Sequence, residues 1–97
     1  MITSFKNKGT ENIFNGQNTK EARKLCPRTL WKIAARKLDQ LDSVSNIEDL
    51  KVPPGNMLES LEGDRQGSYS IRINNQYRIC FQWSENGPYL VEIIDYH

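Results

Sequence analysis

The single histidine of this chain, His97, follows an acid and a phenol in the tripeptide Asp95-Tyr96-His97. Groups of these three kinds move protons near neutral pH. The run Tyr89-Leu90-Val91-Glu92-Ile93-Ile94 leads into them with no Gly or Pro and reads as a strand, which places the tripeptide at the end of an ordered sheet. A second chemical signal lies upstream. Tyr69, Ile71 and Ile73 alternate with Ser70, Arg72 and Asn74, and Tyr77, Ile79, Phe81 and Trp83 alternate with Arg78, Cys80 and Gln82. Both runs have the period of a half-buried strand. Setting Ile71 opposite Ile79 in one core leaves Asn74-Asn75-Gln76 as a short hairpin loop. The same register sets Arg72 directly across from Arg78 on the other face. Like charges so placed repel. Such a pair persists when acids neutralise it, here Glu59, Glu62 or Asp64, or when it holds an anion. Guanidinium groups stay charged and grip phosphate through two parallel hydrogen bonds.

These groups need a scaffold. Ile2 to Lys6 alternates apolar and polar residues and reads as a short first strand. A brief helix over 10–15 should stop at Gly16, a residue suited to a helix end. Residues 17–25 are polar and show no clear period. Pro27 suits the first turn of a helix. Leu30, Ala34, Leu38 and Leu41 then recur at helical spacing, widened by Trp31 and Ala35, and predict the main helix over 27–43. Ser45-Asn46 caps a short turn over 47–50. Val52-Pro53-Pro54-Gly55-Asn56 reads as an irregular loop, 57–62 as a short strand, 63–67 as a turn and 84–88 as the turn into the last strand. The expected fold class is α+β: one domain over 1–97, with N-terminal helices packed on an antiparallel β-sheet.

Bulk properties narrow the function classes. Ninety-seven residues suffice for one modest core. The mean hydropathy of −0.69 is low, but the nine aromatics argue for a folded chain. The net charge of +1 conceals an asymmetry. Residues 1–40 hold nine Lys/Arg against three Asp/Glu, whereas 41–97 hold four against nine. The basic half suits a polyanionic partner. Cys26 and Cys80 lack metal-ligand spacing and are expected as reduced thiols. One histidine and two scattered cysteines do not compose a zinc centre. No signal peptide, membrane-length segment, Gly-rich phosphate loop or Gly-x-Ser-x-Gly elbow is visible. A cytoplasmic location, with no membrane partner, is the expectation.

The stretch from Leu58 to Phe81 resembles the second half of a RelE/HigB-type toxin. It carries a Gly63-Asp64-Arg65 turn and an Ile71-Arg72-Ile73-Asn74 hairpin arm followed by Tyr77-Arg78-Ile79. Pro53-Pro54-Gly55-Asn56 and the Asp95-Tyr96-His97 end fit the HigB branch. The resemblance implies a type II toxin of microbial-RNase-like fold that cleaves messenger RNA in the ribosomal A site. It also implies no cofactor and no metal, a HigA-like helix-turn-helix antitoxin, the 70S ribosome as a partner, and a toxin–antitoxin hetero-oligomer. Carried over by position, it implies catalytic roles for His97, Tyr96, Asp95 and Arg78. Glu59 stands where some HigB toxins have histidine, and it is a candidate base. Glu62 stands where some have lysine, and it reads as ordinary surface charge. Arg72, supported by the hairpin register rather than by a family match, is a candidate phosphate contact, and so is Arg65. Lys32 and Arg36, with Arg28 and Lys37, form a basic helix face suited to RNA or to the antitoxin. A ParE-like gyrase-binding toxin and a catalytically weakened RNA-binding module are the alternatives.

Overall fold

A computed structural model describes residues 1–96; His97 lies outside the described residues. Three α-helices precede a four-stranded antiparallel sheet in the order β1-β2-β3-β4. The helices are α1 (Lys8–Phe14), α2 (Lys20–Leu25) and α3 (Trp31–Ser43), and the strands are β1 (Glu59–Ser60), β2 (Ser68–Arg72), β3 (Tyr77–Ser84) and β4 (Gly87–Asp95). This is the expected α+β architecture.

The predicted main helix survives with a shifted start. Pro27 precedes a 3₁₀ turn over Arg28–Leu30, and α3 proper begins at Trp31. Ala34, Leu38 and Leu41 are fully buried on its inner face. They pack with Ile71, Ile79, Phe81, Val91 and Ile93 in one core between helices and sheet. The unplaced segment 17–25 contains α2. Its signal is a cap, not a periodicity: the Thr19 side chain accepts from the Ala22 amide. Asn7 caps α1 in the same way, and Asn46 caps a 3₁₀ turn over Ile47–Lys51. The proline-rich loop is more regular than expected, because Pro54–Asn56 forms a further 3₁₀ turn.

Two expected strands are shorter. The segment 57–62 contributes only Glu59–Ser60, since Met57 adopts a left-handed conformation (φ 46°) that breaks the extended run. Residues 2–6 form a single parallel bridge, Phe5 with Val91, rather than a strand. Thr3 and Lys6 donate their amides to Pro88 and Val91, both at 2.9 Å, and Val91 donates to Ser4 at 3.1 Å. Between these contacts Leu90 is left-handed (φ 51°), and its amide donates to Ser4 Oγ at 2.9 Å. The hairpin register is the expected one: Ile71 pairs with Ile79 and Arg72 with Arg78.

Candidate active site

Alternation along β2, β3 and β4 sends Ile71, Ile79 and Ile93 to the helices and their neighbours to the outer face. Two cross-strand rows organise that face. Glu59, Ser70, Cys80 and Glu92 stand in register across all four strands. One step along, Arg72, Arg78 and Ile94 form the second row.

Arg78 is the centre of the arrangement. Its side chain is only 7% exposed. Nε donates to Ser70 Oγ at 2.8 Å, and Nη2 donates to the Met57 carbonyl at 2.6 Å and to the Ser70 carbonyl at 3.4 Å. Nη1 lies 3.7 Å from Glu59 Oε1. The Tyr96 ring covers the guanidinium, with 5.3 Å from Cζ to the ring centroid. Three of the five N–H donors are therefore committed to oxygens, and the Nη1 edge is opposed by one loosely held carboxylate. A cation fixed by uncharged acceptors keeps its charge for something else. The like-charge pair is thus only half neutralised. Arg72 donates to Asn75 Oδ1 and approaches Met57 Sδ at 3.7 Å. Among the described residues no carboxylate forms a salt bridge with it.

The left-handed turn at Met57 is what aims that residue's carbonyl at Arg78. Asn56, just before it, is fully buried. Its Nδ2 donates to Gln40 Oε1 at 2.9 Å and to the Leu50 and Val52 carbonyls at 3.0 and 3.4 Å, while Oδ1 accepts from Lys37 Nζ. Burial there, and then the nearby Arg36 charge, lower the Lys37 pKa. The proline-rich loop is in this way tied to α3 and delivers one carbonyl to the site.

Asp95 and Tyr96 arrive on β4. Asp95 pairs with Tyr77, its Oδ2 accepts from Gln76 Nε2 at 3.0 Å, and the Tyr96 amide donates to the Gln76 carbonyl at 2.6 Å. The hairpin loop thereby clamps Asp95 and Tyr96 beside Arg78. The predicted role of His97 falls outside the described residues.

The structure thus gathers Arg72, Arg78, Glu59 and Tyr96 at one end of the outer face, with Asp95 at its margin. Arg65 sits further along the same face, where its Nη1 approaches Glu92 Oε2 at 3.4 Å. Glu62 is an exposed residue before that turn. Lys32 and Arg36 are exposed on α3, in the layer covering the opposite face, and do not join the site. Sequence reasoning missed Ser70, the Met57 carbonyl and Asn56. Ser70 was within reach, since the predicted register puts it on the arginine face. A backbone carbonyl leaves no such signal.

The family model for RelE-like toxins of the type II toxin–antitoxin system HigB matches residues 3–97. The chain belongs to the HigB-like toxins. Toxin HigB-1 of Vibrio cholerae serotype O1 is 38% identical over 97 residues, which cover 100% of this chain and 98% of that one. An uncharacterized protein of Haemophilus influenzae is 47% identical over 60 residues, 62% of this chain and 59% of the relative. Endoribonuclease HigB of Proteus vulgaris is 28% identical over 103 residues spanning both chains completely. This HigB-like chain is accordingly a toxin of a type II toxin–antitoxin pair, as the motifs implied. Both cysteines are free and buried, and among the described residues no helix is long and apolar enough to cross a membrane.

Proposed function

We propose that this toxin is an endoribonuclease that cuts messenger RNA in the ribosomal A site by acid–base transphosphorylation. The observation that carries the reading is Arg78: a buried, pre-oriented guanidinium whose Nη1 edge faces Glu59 at 3.7 Å and lies beneath the ring of Tyr96. The 2′-hydroxyl of one nucleotide attacks the adjacent phosphorus. A P–O2′ bond forms, the P–O5′ bond breaks, and a cyclic phosphate remains. A base takes the 2′ proton, and an acid returns one to the departing 5′ oxygen. His97 and Glu59 are the groups for these two transfers. Arg78 and Arg72 steady the extra negative charge on the phosphoryl oxygens, and donors already fixed in place do this with little reorganisation. Asp95 holds the strand end that presents Tyr96. The basic exposed face of α3 and of the 3₁₀ turn before it, with Lys32, Arg36 and Arg28, gives a salt-sensitive attraction to ribosomal RNA or docks the HigA-like antitoxin.

The test is induction of the toxin in cells, with the 5′ ends of messages mapped. Cuts inside codons of translated messages are expected, together with arrest of translation. His97→Ala and Arg78→Lys should relieve growth arrest while leaving the far-UV spectrum unchanged. Intact messages accompanied by a DNA-damage response would overturn the proposal in favour of a gyrase-directed toxin. Full toxicity of both variants would remove these two residues from the mechanism.

A further inference from the structure

A recess of about 380 Å³ opens on the outer face next to the arginine row. Lys6, Arg65, Gln82, Leu90 and Glu92 contribute to its walls, and Cys80 lies among them. Cys80 is two residues from Arg78 along β3 and points to the same side, a separation of about 7 Å. That is about one step of an extended RNA backbone. The recess is therefore placed to receive the nucleotide flanking the one held at Arg78.

Its chemistry suits a base more than a phosphate. Two cations, Lys6 and Arg65, face two carboxylates, Glu92 and Asp64, so no net positive charge invites an anion. Lys6 Nζ and Arg65 Nη1 both approach the same oxygen, Glu92 Oε2, at 3.2 and 3.4 Å. Both of these contacts run to Oε2, and the Glu92 side chain is 14% exposed. A carboxylate oxygen able to accept, flanked by ammonium and guanidinium donors, matches the edge of guanine. N1–H and N2–H donate to the carboxylate while O6 accepts from a neighbouring cation. Adenine turns a lone pair at N1 toward the same carboxylate and is repelled. Cytosine and uracil offer only one donor position to it. Leu90, 40% exposed, supplies apolar surface for the ring face.

We infer that this recess is a guanine-selective subsite that sets which nucleotide flanks the cut. The inference rests on the endoribonuclease reading for its use in cleavage, but not for the binding itself.

The experiment is an amide NMR titration of the full chain with guanosine 5′-monophosphate and adenosine 5′-monophosphate. The expected result is shift changes at Lys6, Arg65, Gln82 and Glu92, with guanosine bound about tenfold more tightly, the discrimination of one good two-point base contact. Glu92→Gln should reduce that preference about tenfold. Lys6→Gln, a change at a half-exposed side chain, gives an independent reading if the glutamate variant unfolds. Equal affinities, no shifts in the recess, or shifts confined to Arg72 and Arg78 would overturn the inference. Selective guanosine binding by a protein that leaves messages intact would instead remove the endoribonuclease reading and keep the subsite. In mapped cuts, loss of a flanking guanine preference in Glu92→Gln connects the two.

Discussion

At the scale of single residues, the site depends on how one guanidinium is held. Arg78 gives three N–H groups to Ser70 and Met57 and keeps one edge toward Glu59. The half-exposed ring of Tyr96 closes over its face at 5.3 Å. The ring, not the hydroxyl, makes that contact, so two substitutions should behave differently. Tyr96→Phe is expected to cleave messages within a few-fold of the parent. Tyr96→Ala should fall by about a hundredfold, the effect of a small misplacement in a positioned site. It should lose only about 0.5–1 kcal/mol of stability in urea, the value of a cation–π contact at an accessible position. Equal activity of the two variants would show that the ring does not position Arg78.

At the scale of elements, the proline-rich loop does more than connect. Asn56 closes four hydrogen bonds to α3 and to its own loop and fixes the left-handed turn from which the Met57 carbonyl reaches Arg78. Asn56→Ala removes a buried polar group and strands its partners. A loss of about 2–3 kcal/mol is expected from denaturant curves, with activity falling alongside. The sheet, its register and the main helix were legible because alternation and helical spacing are direct images of burial, as Ile71 opposite Ile79 and the Ala34–Leu38–Leu41 stripe show. The arginine pair followed from that register. What stayed hidden has no periodic image. α2 is one polar turn and a half that depends on the Thr19 cap. β1 is cut to two residues by the backbone turn at Met57. The partners of Arg78 include a main-chain carbonyl from twenty-one residues away, which no side-chain pattern announces. Lys32 and Arg36, read in the sequence as part of a basic helix face for RNA or the antitoxin, are exposed on α3, on the other side of the sheet from Arg78.

At the scale of the whole molecule, two thiols set a limit in alkali. Burial pushes the Cys26 pKa up to about 11, partly offset by its contact with Trp31. Burial raises Cys80 to about 11 as well, against the pull of Arg65 and Arg78 and with a smaller push from Glu92. The unfolded chain releases these protons near the ordinary value of 9.0. Between those limits the folded state binds more protons, so stability must fall as pH rises from about 9 toward 11. Urea midpoints measured across that range should decline, and Cys26→Ala with Cys80→Ala should flatten the slope. A midpoint independent of pH in the parent would contradict the burial of both groups. The molecule also has a soft side. Val52 and Met57 are 67% and 49% exposed, so the stretch that braces Arg78 is anchored chiefly by Asn56, whereas the sheet is anchored by the core. Local openings of such thinly packed segments require less free energy than global melting. Gentle heating or dilute denaturant should therefore disarm this toxin while its strands and helices still stand, leaving a harmless protein with an intact silhouette.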